Sequence, residues 1–419
     1  MKYKTYNCNS FNIYTIKTDR FKTSHLEVIF KNVLKKEEIG TYSFLADMLS
    51  EGCKKYPRKK DLITRFEELY KIVIYASTMR VGNVIDLHVS LDFINPEYIE
   101  DEGYIEDVIK TLFEVILNPN VCNDEFDLKT FNIVKERLRR EINSLKENPV
   151  KQSIKEAIKT MDSSSPTSYE ILGTIEELEN ITPAKLYNAY KSLRKNFKVD
   201  VFLIGNLDMD NVASLIKKYF KNRYIVSDNF EVMVDNKETK KVKVKAMKSD
   251  NIQTNLVMLF NLKNLSELEK NITLNCFNYL YGSGGLTSKL YKSIREENSL
   301  CYAINSMYLK YDKLLMVQIS LDNCNVKKAI SLVKKELKSM QNGNFSEEEV
   351  RDAINNMVIS LDMSLDNNIA ILNNYVFNIY DKLPSIEERK EYFKKLTKED
   401  IVNVSKKVKL NTIFTLEGR

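Results

Sequence analysis

The stretch from Tyr281 to Tyr302, YGSGGLTSKLYKSIREENSLCY, holds the residues with most chemistry to offer. Gly282, Gly284 and Gly285 stand within four positions of a chain that has only 11 glycines in 419 residues. Arg295 then supplies a permanently charged fork of donors, and Tyr302, seven residues later, a hydroxyl. Glycines this dense can cradle a phosphate. GSGGLTSK, however, lacks the Gly-x-x-x-x-Gly-Lys-Ser/Thr order of a P-loop. A dinucleotide fingerprint needs a third glycine three residues after the second, directly after a strand, and here a helix precedes. Gly282 therefore reads as a helix-ending glycine, with a bending loop over Gly284 and Gly285. By spacing alone Arg295 is a surface residue of a charged helix and Tyr302 the start of a strand.

Metal and nucleophile chemistry have little to draw on. The two histidines, His25 and His88, lie in the alternating segments SHLEVIF and IDLHVSLDF, which predict strands. Neither has a ligand-spaced partner, so both are expected in a core or on a strand surface. Cys8, Cys53, Cys122, Cys276, Cys301 and Cys324 are scattered without a C-x-x-C pair, which predicts reduced thiols, a cytoplasmic protein and no structural zinc. The net charge of +6 comes from 64 basic and 58 acidic residues mixed along the chain. That pattern predicts a solvated surface and no nucleic-acid partner. No apolar run approaches the ~18 residues of a membrane span. The opening MKYKTYNCNSFNIYTIK has no apolar signal-peptide core.

The elements that must position these residues occur twice. ITPAKLYNAYKSLRKNFKVDVFLIGN ends the first half, and LTKEDIVNVSKKVKLNTIFTLEG ends the second. In each a threonine, Thr182 or Thr397, is placed to cap a helix. Ile181 with Leu186, and Leu396 with Ile401, have the spacing of a hydrophobic staple. A strand and a glycine follow, ending at Gly205 and Gly418. Upstream, HLEVIF matches NLVMLF, and each is followed by a helix, a second helix, a strand pair and two further helices. Ser346 and Glu349 form a capping box in the last of these, with Phe345 and Val350 as its staple. The expected fold is α+β: two homologous αβ domains, each a mostly antiparallel sheet covered by helices. The boundaries fall at 1–224, a polar linker at 225–240, and 241–419.

Two segments carry a resemblance. One is the helix SFLADMLSEG, Ser43 to Gly52; the other is the stretch from Tyr281 to Tyr302. Set in two similar αβ halves, they resemble the pitrilysin/insulinase-type (inverzincin) zinc peptidases over nearly the whole chain. Active relatives read His-x-Leu-Glu-His-Met-x-x-x-Gly along this helix. Two imidazoles on one face hold zinc there, and the glutamate acts as general base. Here Ser43 and Asp47 stand at the histidine positions and Ala46 at the glutamate, while Phe44, Leu45, Met48, Leu49 and Gly52 remain. Glu141 matches the third ligand but cannot make a zinc site alone. Asp47 with Glu141 is a weak candidate for a hard cation. The resemblance thus implies no metal and no cofactor in this chain.

It also implies catalytic roles for Arg295 and Tyr302, whose spacing of seven is that of the family's pair. They would hold a peptide carbonyl and stabilise an oxyanion as it forms. It implies peptide contact at Gly282, Gly284 and Gly285. An edge strand over YASTMR would pair with an extended peptide at Ala76 and Thr78, with Tyr75 replacing the usual asparagine. Bacterial relatives include pairs of similar subunits, one with the zinc motif and the other with the arginine and tyrosine; this chain resembles the second kind, nearest to the zinc-peptidase-like proteins of Gram-positive bacteria. This chain is then expected to be half of a clamshell: a substrate-binding, non-catalytic subunit of a heterodimeric zinc metallopeptidase. Its partners would be a peptide and a homologous zinc-bearing subunit, with no membrane. The alternative is an inactive scaffold of the same fold.

Overall fold

The repeated elements become two sheets with one strand order. The computed structural model describes every residue but Arg223, Asp228 and Glu238, and for Lys146 the backbone alone. Asp228 and Glu238 of the expected linker thus lie outside the described residues. The first sheet contains β1 (Lys2–Asn7), β2 (Phe11–Lys17), β3 (Thr23–Val33), β4 (Val73–Val81), β5 (Val84–Ile94) and β8 (Lys198–Gly205). A short hairpin, β6 (Val121–Cys122) and β7 (Glu125–Phe126), stands apart. The second sheet contains β9 (Lys243–Lys248), β10 (Thr254–Leu262), β11 (Cys301–Leu309), β12 (Leu314–Leu321) and β13 (Val408–Glu417). The orders are β1-β2-β8-β3-β5-β4 and β9-β13-β10-β12-β11, so the second repeats the first once β1 is set aside. All neighbours are antiparallel except β2 with β8 and β9 with β13. This is the α+β arrangement of two mostly antiparallel, helix-covered sheets that the sequence predicts.

The helices are α1 (Ile39–Leu49), α2 (Lys59–Glu68), α3 (Tyr104–Leu117), α4 (Leu128–Glu147), α5 (Pro149–Asp162), α6 (Ile175–Glu179), α7 (Pro183–Asn196) and α8 (Met209–Tyr219) in the first half. The second half has α9 (Leu274–Asn278), α10 (Val326–Gln341), α11 (Glu347–Ser364), α12 (Asn368–Asp381), α13 (Ile386–Lys394) and α14 (Lys398–Ser405). The side chains of Thr182 and Thr397 accept from the N–H groups of Lys185 and Asp400, and Ser346 with Glu349 closes a capping box. Each such cap contributes about 1 kcal/mol. The staple residues Ile181, Leu186, Leu396 and Ile401 are all buried. The two strand-ending glycines have one cause. A Cβ on Gly205 would stand 2.7 Å from the Ser24 Cβ beside it, and one on Gly418 would stand 2.7 Å from the Gln253 carbonyl carbon.

The chain divides into two compact units. The first is Met1–Asn143, Tyr169–Val232 and Asn367–Val376; the second is Ser144–Ser168, Met233–Asp366 and Phe377–Arg419. Leu26, Val28 and Phe30 of β3 point into the first core with α1, α3 and α7. In the second unit α5, from the first half of the sequence, packs Ala157 and Met161 on Val257, Leu259, Phe414 and Leu416. In the first unit Tyr375 of α12 packs on Tyr3, Tyr14 and Phe202. Among the described residues no helix is long and apolar enough to cross a membrane.

Candidate functional site

In the first unit α1 is almost wholly buried, because its apolar residues face the core on one side and α4, α7 and β4 close the rest. Its three substituted positions are engaged with protein. The Ser43 hydroxyl donates to the Ile171 carbonyl and stands 2.6 Å from the Thr78 hydroxyl. Ala46 is buried. Asp47 and Glu51, four apart on one face of the chain, share Arg137 of α4, at 3.2 Å and 2.8 Å. Burial raises the Asp47 pKa, and the Arg137 guanidinium offsets only part of the rise. Burial alone would lower Arg137, but Glu51 and Asp47 together hold it above its ordinary value. Zinc does not fit this set. A guanidinium already supplies positive charge between the carboxylates, and no side chain on α1 is a thiolate or imidazole donor. Glu141 lies one turn beyond Arg137 on the exposed side of α4, and Asp47 is taken up by Arg137. The weak cation reading of Asp47 with Glu141 therefore gives way to an ion-pair bridge. Among the described residues no three His, Cys, Asp or Glu side chains come together to hold a metal.

The two histidines lie on the opposite face of the first sheet, both buried beside carboxylates. His88 Nδ1 is 2.8 Å from Glu27 Oε1, which also accepts from Ser90, and His25 Nδ1 is 2.7 Å from Asp92. Burial alone would lower His88, but Glu27 outweighs it and the imidazole is held above its usual 6.5. Glu27, which burial alone would raise, is held below 4.5 by His88. The pair is a buried charge pair that ties β3 to β5.

In the second unit Arg295 closes a helical segment, Tyr291–Glu296, and its guanidinium lies 5.1 Å from the centre of the Tyr291 ring. The turn that follows is hydrogen-bonded back: Ser299 N–H donates to the Arg295 carbonyl and Leu300 N–H to that of Ile294. It delivers the chain to β11 at once. Tyr302 is the residue inserted between the Cys301↔Leu321 and Ala303↔Ser320 pairs, a bulge on an edge strand. Bulges re-aim side chains, and Tyr302 is 57% exposed. Burial raises the Cys301 thiol pKa, and the Arg295 guanidinium opposes part of that rise.

The glycines separate into three roles. Gly282 is buried inside the helical segment Tyr279–Ser283, where a Cβ would come within 2.6 Å of the Ser306 hydroxyl on β11. The expectation of a helix-ending Gly282 is thus corrected: it is a packing glycine that lets the helix lie against the strand. The helix ends at Gly284, whose N–H donates to the Tyr279 carbonyl. Gly285 alone has a left-handed φ, +58°, with open space about it, and the next residue, Leu286, is exposed. Only Gly285 keeps the character of an open loop.

Ala76 and Thr78 lie on β4, the edge strand of the first sheet. The Ala76 N–H donates to Ser50 Oγ at 3.0 Å, and the Thr78 hydroxyl is paired with Ser43. The edge is less open than YASTMR implies, because the end of α1 occupies it. Ser50, Glu51 and Arg137 are the site residues the sequence reading missed. The four-residue spacing of Asp47 and Glu51 was the available signal.

Comparison with known proteins agrees with this geometry. Residues 180–357 match the family profile described as Peptidase M16 inactive domain. Over 412 residues, 96% of this chain and 95% of the relative, the sequence is 26% identical to the Probable inactive metalloprotease YmfF of Bacillus subtilis (strain 168). A conserved protein from Enterococcus faecalis V583 has the same fold, with a TM-score of 0.93 at 22% identity, covering 100% of this chain and 99% of that one. A peptidase M16 inactive domain from Pseudomonas fluorescens gives 0.81 at 16% identity, covering 100% and 99%. The fold and a metal helix without metal ligands define a class, the peptidase-like proteins that have lost the zinc motif. The chain is similar to the M16 peptidases, and among them to inactive members.

Proposed function

We propose that this protein is the substrate-binding, non-hydrolytic subunit of a two-chain zinc peptidase, working in the cytoplasm. It presents Arg295 and Tyr302 to a peptide whose bond is broken at the zinc of a homologous subunit. The observation that carries the reading is the asymmetry between the units. On α1 every catalytic position is sealed by Ser43, Ala46 and the Asp47–Arg137–Glu51 bridge, whereas Arg295 and Tyr302 stand exposed at the open end of β11. An exposed guanidinium and a phenol hydroxyl are donors suited to a developing oxyanion. Gly285 and Leu286 would touch the same peptide.

The test is co-expression with a homologue that carries an intact His-x-x-Glu-His helix. A 1:1 complex should form, and neither chain alone should cleave peptides at the rate of the complex. Arg295→Ala should lower kcat/KM by about 10²-fold, the usual loss for one oxyanion donor, with the zinc content of the complex unchanged. Tyr302→Phe should act in the same direction. A complex whose turnover ignores both substitutions identifies the chain as a scaffold and removes the proposal.

A further inference from the structure

Comparing the two sheets leaves one strand edge unmatched. In the first sheet β2 is covered on its outer side by β1, paired from Lys2↔Lys17 to Asn7↔Asn12. Its counterpart β9 has β13 on one side and, among the described residues, no strand on the other. The Ser249 N–H donates to the Glu417 carbonyl at 2.8 Å, which sets the alternation along the strand. Odd-numbered residues of β9 face β13, so the main-chain N–H and C=O groups of Val244, Ala246 and Lys248 face outward. Five of the six β9 residues are exposed, Val244 by 73%. The edge is also strongly basic: Lys240 and Lys241 precede the strand, and Lys243, Lys245 and Lys248 lie within it.

We propose that the outer edge of β9 takes an extended acidic segment of a partner protein by strand addition. Val244, Ala246 and Lys248 supply the main-chain hydrogen bonds, and the lysines select carboxylates on the added strand. Charge argues against a second copy of this chain. Its β9 carries the same lysines, the β1 edge carries Lys2 and Lys4, and the edge strands β4 and β11 contain no Asp or Glu. Like charges placed opposite one another across a strand pair are destabilising. The site is separate from Arg295 and Tyr302, on the opposite edge of the same sheet.

The experiment titrates the full chain into a fluorophore-labelled, acetylated peptide, Glu-Val-Glu-Thr-Glu-Val-Glu, and follows anisotropy. Saturable binding that weakens with salt is expected, lowered about tenfold or more, roughly 1.4 kcal/mol, by Ala246→Pro and by the pair Lys245→Glu and Lys248→Glu. A proline at 246 removes only an outward N–H, which an edge strand tolerates. Hydrogen exchange on the unmutated chain gives an independent reading: the Val244, Ala246 and Lys248 amides should gain protection when the peptide is added. Lysines that serve only to keep an edge from pairing predict no saturable binding, and that result overturns the proposal. So does equal binding by Ala246→Pro, equal binding of the same peptide with Lys in place of Glu, or unchanged exchange at the three amides.

Discussion

At the scale of single residues, the arginine on α4 does for α1 part of what a metal would do. Arg137 joins Asp47 and Glu51 to a second helix through charge-assisted hydrogen bonds. Arg137→Ala should leave two carboxylates facing each other and lower stability by about 1 kcal/mol, well under the cost of breaking a fully buried pair because the guanidinium is half exposed. Urea unfolding of the two proteins checks this. The pair His88–Glu27 makes a second, pH-dependent prediction. His88 is raised, so its contribution is complete below 6.5 and lost as pH climbs through the higher folded value. Glu27 is depressed, so its contribution is complete above 4.5 and lost as pH falls through the lower folded value. Both operate together between 4.5 and 6.5. The stability gap between the natural chain and His88→Gln should therefore be widest in that window and shrink above it. A gap that widens with rising pH would contradict the assignment.

At the scale of elements, the repeated glycines fix how closely strands approach. Gly205→Ala should press its Cβ into the start of β3 at Ser24, whose hydroxyl is held by Asn95. Overpacking of this kind costs about 1–3 kcal/mol, visible as a lower thermal midpoint. The equivalent Gly418→Ala meets backbone rather than a side chain, so little can yield and the loss should be at least as large. The helix that precedes β11 shows the same device, since Gly282 lets it lie against Ser306. That contact sets where the helix ends, and so where Arg295 and Tyr302 emerge.

At the scale of the whole molecule, each compact unit takes in part of the other half of the sequence. α5 covers the second sheet, and residues Asn367–Val376 join the first unit. The two halves should for this reason not be separable by cutting near residue 225. A fragment ending there should lack Tyr375 over Tyr14 and Phe202, while α5 is left without the sheet it covers. Circular dichroism and unfolding of fragments 1–225 and 226–419 would test this. Two cooperative transitions with midpoints equal to that of the full chain would refute it.

The sequence by itself determined the duplication, the caps and staples at Thr182 and Thr397, the strand character of the histidine segments and the loss of the metal motif. These are local: a cap is read from residues three apart, and a zinc helix from a single turn. Tertiary structure alone decided what replaced the metal, because Arg137 lies 90 residues from Asp47 and only packing of α4 on α1 brings them together. It also decided that the Ala76 N–H is taken by Ser50, and that Gly282 is buried while Gly285 is open. Finally, it decided that β9 has, among the described residues, no strand on its outer side where β2 has one. Each of these depends on which distant surfaces meet, and period and composition along the chain do not encode that.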